Sequence, residues 1–461
     1  MALAQLDTPI GPQRAVHSVR PTRCVALVTF DRIGARLSGS AIRVLELARA
    51  LEEAGHQCTV IATGLDSDAD PYTFVVQTFD LRDARRTLLP LLAGADVVVL
   101  PLQALARIPL LASLRVPLVF DIYDPFVFEM LASGTGRPLE ERRSKVRAHC
   151  SVMNHVLRRG DFFLCASERQ RDMWLGALAA NGRLVPAAEG DAAFRRLIDV
   201  VPMGIAEASP VRTPGVRPAS LPIDHTVIVS LGVLWDWQDP VTAVRAIALV
   251  AQRRLDIHLV LFAGAHPTAG QVPTAAADRA RAIAAELGVL DRQVHFVSEW
   301  VPYGERGRYL CACDAGITTH RSSLESHFSF RTRVLDYLWA GLPVLCTAGE
   351  VLAEFVARHQ LGTVVPENDP GALATAFERI ADDAEFVEAC RARIAALRPS
   401  LEWRVAAEAL VRYCEAPRLG DRSARGVAEL NQIASAAWRV ARTEGLRAAI
   451  QRVHRYAFLR K

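Results

Sequence analysis

Lysine is almost missing from this chain. Of its 54 basic residues only Lys145 and Lys461 are lysines, so nearly all the positive charge is arginine. A P-loop nucleotide hydrolase is thereby excluded, because its phosphate-cradling loop ends in Gly-Lys. Pyridoxal phosphate chemistry would have only Lys145, within the charged segment ERRSKVR, and is disfavoured. The nine cysteines are scattered, odd in number and without a CxxC pair. Cys311 and Cys313 lie in an apolar stretch and read as core thiols rather than metal ligands, which fits a reducing cytoplasm. No apolar run approaches the roughly 18 residues of a membrane span, and residues 1–20 read as a leader without a signal-peptide core. The formal net charge of +4 is too small to point to nucleic acid.

What is present is a chain of 461 residues, 51% hydrophobic and 23% charged, enough to bury large cores. Length alone suggests about three domains, or two large ones with appendages. Short apolar runs alternate with helical patterns from Arg23 onward. RCVALVTF reads as a buried strand, then a loop with Gly34, Ser38 and Gly39, a helix to Glu53, and the strand QCTVIAT. Such a strand–loop–helix–strand unit begins a parallel sheet, and Gly39 is either a phosphate contact or part of an ordinary tight turn. Residues 21–206 are expected to form one α/β domain. Residues 207–225, with Pro210, Pro214, Pro218 and Pro222, read as a linker, and 226–400 as a second α/β domain. A closing helix is expected over 401–420. Residues 421–461 hold nine basic and three acidic residues interleaved with apolar ones, the pattern of a basic amphipathic helix on an anionic membrane surface or of a tail packed on the protein.

One stretch concentrates the chemistry: HRSSLESHFSFRTRVLDYLWAGLPVLCT, residues 320–347. Ser326 and Ser329 are candidate N-caps of a helix carrying Val334, Leu335, Leu338 and Trp339 on one face, ended by Gly341 and Pro343. Arg331 and Arg333 then fall in the first turn, where a cation opposes the helix dipole by roughly 0.3–1 kcal/mol. An anion bound there explains the placement, since free N–H groups and two guanidinium forks make a phosphate cradle. The alternatives are solvation or pairing with Glu325. Asp336, a turn on, suits ribose hydroxyls.

Five segments carry a family resemblance: GSAIRVLELARALEEAGH (39–56), VVPMGI (200–205), SLGVLW (230–235), HFVSEWVP (295–302) and, above all, LDYLWAGLPVL (335–345). Over residues 21 to about 415 the chain resembles retaining glycosyltransferases of the GT-B fold, family 4. The resemblance implies two Rossmann-like parallel-sheet domains facing a cleft, with a C-terminal basic helical tail. It implies transfer of a sugar from a nucleotide diphosphate-sugar donor to a hydroxyl acceptor, carbohydrate or lipid-linked, with no cofactor and no catalytic metal. Asp336 matches the residue that holds the donor ribose. The family's first acidic residue falls where Phe328 stands, so Glu325 or His327 is expected to substitute. Its diphosphate-gripping Arg and Lys fall at Val233 and Gln238, so Arg331 and Arg333, with Arg321 as a third candidate, are expected to replace them.

The expected site therefore holds Arg331, Arg333 and the backbone at Gly39 for the leaving group, with Leu335, Asp336, Glu325, Arg321 and a stacking Trp235 around the donor. Asp124 and Glu129, in VFDIYDPFVFEM with Asp121, are assigned to the acceptor; the plainer reading makes Asp121 and Asp124 turn formers. Asp66, Asp68 and Asp70 superficially offer a DxD but read as a solvated loop. The expected setting is cell-surface polysaccharide or glycolipid synthesis in the cytoplasm, peripheral to the plasma membrane. A sugar-nucleotide epimerase and a non-catalytic scaffold of the same fold are the rivals.

Overall fold

The computed structural model describes residues 21–69, 71–132, 137–185, 194–211, 221–262 and 274–420. The leader, Asp70, the middle of the linker and the basic tail 421–461 lie outside these described residues.

The first domain is built on a seven-stranded sheet: β1 (Cys24–Val28), β2 (Gln57–Ala62), β3 (Val75–Thr78), β4 (Val97–Pro101), β5 (Leu118–Asp121), β6 (Phe162–Cys165) and β7 (Ile198–Val200). Its order is β3-β2-β1-β4-β5-β6-β7, every neighbouring pair parallel. The second sheet holds β8 (Thr226–Ser230), β9 (Ile257–Phe262), β10 (Val294–Val297), β11 (Ala315–Thr318), β12 (Val344–Thr347) and β13 (Gly362–Val365). It repeats the logic in the order β10-β9-β8-β11-β12-β13, again all parallel. Central strands such as β8, TVIVS, are buried along nearly their whole length, as two-sided helix cover requires. In each sheet the order reverses beside the first strand, and crevices open there at the carboxyl ends.

The helices that matter for the site are α1 (Gly39–Glu53), α2 (Phe126–Ala132), α3 (Leu139–Arg159), α4 (Glu168–Ala180), α5 (Leu324–Phe328), α6 (Thr332–Trp339), α7 (Ala384–Leu401) and α8 (Glu408–Glu415). Ser38 caps α1 by accepting from the Ala41 amide. The helix ends where Gly55 adopts φ +93°, a conformation only glycine takes cheaply. Helix α6 is anchored over the second sheet by Tyr337, which is fully buried. Its hydroxyl donates to the Ile317 carbonyl at 3.0 Å and accepts from the Leu231 amide at 3.1 Å. The ring can lie this close to β11 because residue 316 is glycine: a Cβ there would stand 2.1 Å from the ring.

The capping expectation for this region is corrected. The 320–347 stretch forms two helices, not one. Ser323 caps α5 with Ser326 completing a capping box, Ser329 ends α5, and Arg331 stands at the N-cap of α6 without a side-chain cap. The chain after α7 also crosses back to the first domain. Ile205 and residues Leu401 and Trp403 exchange backbone hydrogen bonds of 2.9 and 3.2 Å, and Tyr413 of α8 stacks on Phe162 with ring centroids 4.2 Å apart.

Candidate active site

A cavity of about 1200 Å³ lies between the carboxyl ends of the two sheets, lined from both domains. Gly39, Asp124 and Glu129 reach it from the first domain, and Trp235, Arg333 and Asp336 from the second. Gly39 opens α1, so its amide belongs to the unsatisfied N-terminal turn. A Cβ at Gly39 would meet nothing within 4 Å, which leaves the backbone open to a ligand.

Arg333 brings a guanidinium to this cavity. Its Nη2 donates to the Val233 carbonyl at 2.7 Å and its Nη1 to the Ser230 hydroxyl at 3.2 Å, across to the loop after β8. Among the described residues it has no carboxylate within ion-pair distance, and burial pulls its pKa below the usual arginine value. A desolvated guanidinium held by neutral oxygens gains most from an incoming anion. The side chain thus reaches the Val233 position, where the resemblance leaves an arginine missing.

Asp336 also faces the cavity, its side chain one-third exposed, and accepts from Arg306 Nε at 3.0 Å. Arg306 lies over the rings of Tyr303 and Trp339, 3.6 and 4.3 Å from their centroids. The pair orients one carboxylate oxygen and leaves capacity on the other. Trp235 stacks on Trp237 with centroids 5.1 Å apart, forming an aromatic shelf on the cavity wall.

On the opposite wall burial raises Asp124 to about 7, reinforced by the Asp121 charge and partly offset by a hydrogen bond with Tyr123 and by Arg43. Glu129 is raised too, by burial first and then by Asp124 and Glu325. With both carboxyls raised by burial and by neighbouring carboxylates, Asp124 exchanges a proton near neutral pH.

Four expected residues stand elsewhere. Arg331 is clamped by Glu325, Nη1 to Oε1 at 2.8 Å and Nη2 to Oε2 at 2.7 Å, with both side chains buried and neither lining the cavity. The arginine expected to cradle phosphate and the glutamate expected to contact donor sugar neutralise each other instead. Leu335 is a core residue, 3% exposed. Arg321 projects outward, 71% exposed and 3.9 Å from Asp239. Phe328, at the position where an acidic residue was sought, stacks on Phe128 of α2 at 5.2 Å, and its carbonyl accepts from Gln170. In the acidic loop Asp66 pairs with Arg32 and Asp68 accepts from the Ala35 amide.

The structure adds residues that were not singled out. Arg43 of α1 is fully buried and grips Asp121 bidentately at 2.6 and 3.0 Å while donating to the carbonyls of Val201 and Pro202. It fixes the end of β5 from which Tyr123 and Asp124 follow. An arginine on the buried face of α1, in phase with Glu46, Leu47 and Ala50, was the available signal. Arg306 carried none, because its partner lies thirty residues on.

Residues 225–383, most of the second domain, match the family model described as glycosyl transferases group 1. No curated protein is significantly similar to the chain in sequence. Among solved structures the chain is similar to sucrose-phosphate synthase from Thermosynechococcus elongatus, at 18% identity and TM-score 0.58, covering 85% of this chain and 98% of that one. It is also similar to the Anabaena protein HepE in complex with UDP-glucose, at 14% identity and TM-score 0.56, covering 85% and 98%. A third is WaaG, a glycosyltransferase involved in lipopolysaccharide biosynthesis, at 16% identity and TM-score 0.50, covering 88% and 99%. The protein has the GT-B fold. The match to the group 1 family lies within its second domain.

In this GT-B cleft both rims are bridged. On one side Tyr303 donates from its amide to the Ala35 carbonyl at 3.1 Å and from its hydroxyl to Glu46 at 3.4 Å. On the other, Arg169 of α4 reaches the His327 carbonyl at 3.0 Å and Glu354 at 2.7 Å. Polar contacts thus join the two domains on both sides of the cavity.

Proposed function

We propose that the protein is a retaining glycosyltransferase that moves a sugar from a nucleoside diphosphate-sugar to a hydroxyl acceptor. The observation that carries this is the half-buried Arg333 guanidinium, without a counter-ion among the described residues, in a GT-B cleft shared with Asp336 and the start of α1. Arg333 and the α1 N-terminus at Gly39 take the diphosphate, where negative charge grows as the glycosidic bond breaks. Asp336, oriented by Arg306, accepts the ribose hydroxyls, and Trp235 offers its ring to base or sugar. Asp124, near its midpoint at neutral pH, takes up the acceptor proton with Glu129 beside it. The reading needs no metal ion to neutralise the leaving group. UDP-glucose in HepE supports a uridine donor, and WaaG supports a cell-envelope product. No helix among the described residues is long and apolar enough to cross a membrane. On this reading the enzyme works at the cytoplasmic face, with residues 421–461 meeting anionic lipid.

Isothermal titration of the full chain with UDP and UDP-glucose tests the reading. Wild type binds both, and Asp336→Ala weakens binding about tenfold, the value of a charge-assisted hydrogen-bond pair. Unchanged affinity in that variant overturns the ribose assignment. Turnover of donor without any acceptor, giving free nucleotide and an altered sugar, would indicate the epimerase instead.

A further inference from the structure

The acceptor side of the cavity carries a charge pattern that sugar hydroxyls alone do not require. Helix α3 presents Arg142, Lys145 and His149 at i, i+3 and i+7, and all three line the cavity. Arg137, just before the helix, joins them on the same wall. The one carboxylate within this group is Glu141, which pairs with Arg137 at 2.7 Å and with Lys145 at 3.2 Å. Three permanent cations against one carboxylate leave two positive charges. Arg142 has one Nη on the Leu131 carbonyl at 3.0 Å and an Nε that is buried without a partner. His149 donates from Nδ1 to the Lys145 carbonyl at 2.7 Å and lies against Phe126, 4.8 Å between ring centroids, so its imidazole is held in place.

Among the described residues none of the acids lining the cavity forms an ion pair with Arg137, Arg142 or Lys145. The largest charge effects on Asp124 come from Asp121, Arg43 and Glu325, and those on Glu129 from Asp124, Glu325 and Arg331. Nor is the face a general feature of a basic protein: the chain's net charge is only +4, and Lys145 is one of two lysines in it. An ammonium and two guanidinium groups on one wall suit an anion approached from several directions, whereas a planar carboxylate is matched by one Arg fork. A phosphate monoester, at −1.5 to −2 near neutral pH, roughly balances the excess of two positive charges.

The geometry points to an acceptor that carries a phosphate, bound by Arg142, Lys145 and Arg137 with His149 alongside, its hydroxyl lying toward Asp124. This rests on the transferase reading for the word acceptor; the anion site itself does not. A soluble sugar phosphate and a lipid-linked phosphate offer the same group, and separate probes distinguish them.

The test is titration of the full chain with glucose 6-phosphate against glucose, and with farnesyl phosphate against farnesol, with UDP titrated separately. At least one phosphorylated probe binds about tenfold or more tightly than its neutral counterpart, and the preferred one names the source. The Arg142→Ala/Lys145→Ala variant abolishes that preference and leaves UDP affinity unchanged. Lys145→Glu, a surface change, does the same if the double variant folds poorly. Arg143→Ala, outside the cavity and paired with Glu140, has no effect. Equal affinity for phosphorylated and neutral probes, or a preference that survives Lys145→Glu, overturns the inference. Phosphate binding with no UDP binding keeps the anion site and removes the transferase reading; UDP binding with no phosphate preference does the reverse.

Discussion

Glu325 and Arg331 form a bidentate ion pair at 2.7–2.8 Å in which the carboxylate is 1% exposed and the guanidinium 7%. Ser329 donates its hydroxyl to the same carboxylate at 2.5 Å. Two residues further on, Arg333 reaches the cavity with no carboxylate of its own among the described residues. Arg331 is thus spent on a partner inside the protein, while Arg333 is held only by neutral oxygens.

Arg331→Ala strands the Glu325 charge in the interior and lowers stability by about 3–5 kcal/mol. The double change Glu325→Leu/Arg331→Met removes both charges and recovers most of that loss. Urea unfolding of the three proteins checks this. A single variant as stable as wild type contradicts a structural role for the pair.

Arg333→Ala acts on rate instead. Its partners are a carbonyl and a hydroxyl near the cavity, so stability changes by no more than about 1 kcal/mol, within the range for sites outside the packed core. Loss of a cation at a developing diphosphate lowers kcat by about 10²–10³-fold. Thermal melts and steady-state rates, measured on the same preparation, separate the two effects.

Gly39→Ala separates fold from ligand. The added methyl meets no protein atom within 4 Å, and alanine is the better helix former, so stability is unchanged or rises by up to about 1 kcal/mol. Affinity for UDP falls, because the methyl enters the space where phosphate oxygens approach the amide. Equal UDP affinity in this variant would place the phosphate elsewhere.

Asp124 makes stability depend on pH with a definite sign. Its carboxyl is raised from 3.8 to about 7 by burial, so between these values the folded chain holds a proton that the unfolded chain releases. Stability from this group is greatest below about pH 4 and declines as pH rises toward 7. Glu129, raised for the same reasons, steepens the decline. Asp124→Asn flattens the slope of unfolding free energy over that window, and removes an ascending limb near pH 7 from the rate profile.

The alternation of strand, loop and helix was readable because buried parallel strands are continuous apolar runs and their helices carry an apolar stripe. The runs RCVALVTF and QCTVIAT became strands within a residue or two of where the pattern placed them. Gly39, Trp235, Arg333, Asp336, Asp124 and Glu129 all line the cavity. Arg331, Glu325, Leu335 and Arg321 do not: the break between α5 and α6 pairs Arg331 with Glu325, Leu335 packs in the core, and Arg321, before α5, faces outward. Sequence periodicity is blind to a three-residue break that turns one arginine inward and leaves the next facing the cleft.

By itself, then, the order of residues determined two parallel-sheet halves and the loops that meet at their carboxyl ends, since those follow from local burial patterns repeated along the chain. Which cations remain free for a substrate was decided only in three dimensions. An arginine's role depends on whether a carboxylate lies within about 4 Å of it: the partners of Arg43 and Arg306 are brought there by packing between distant segments, and the turn between α5 and α6 decides that Glu325 takes Arg331 and not Arg333.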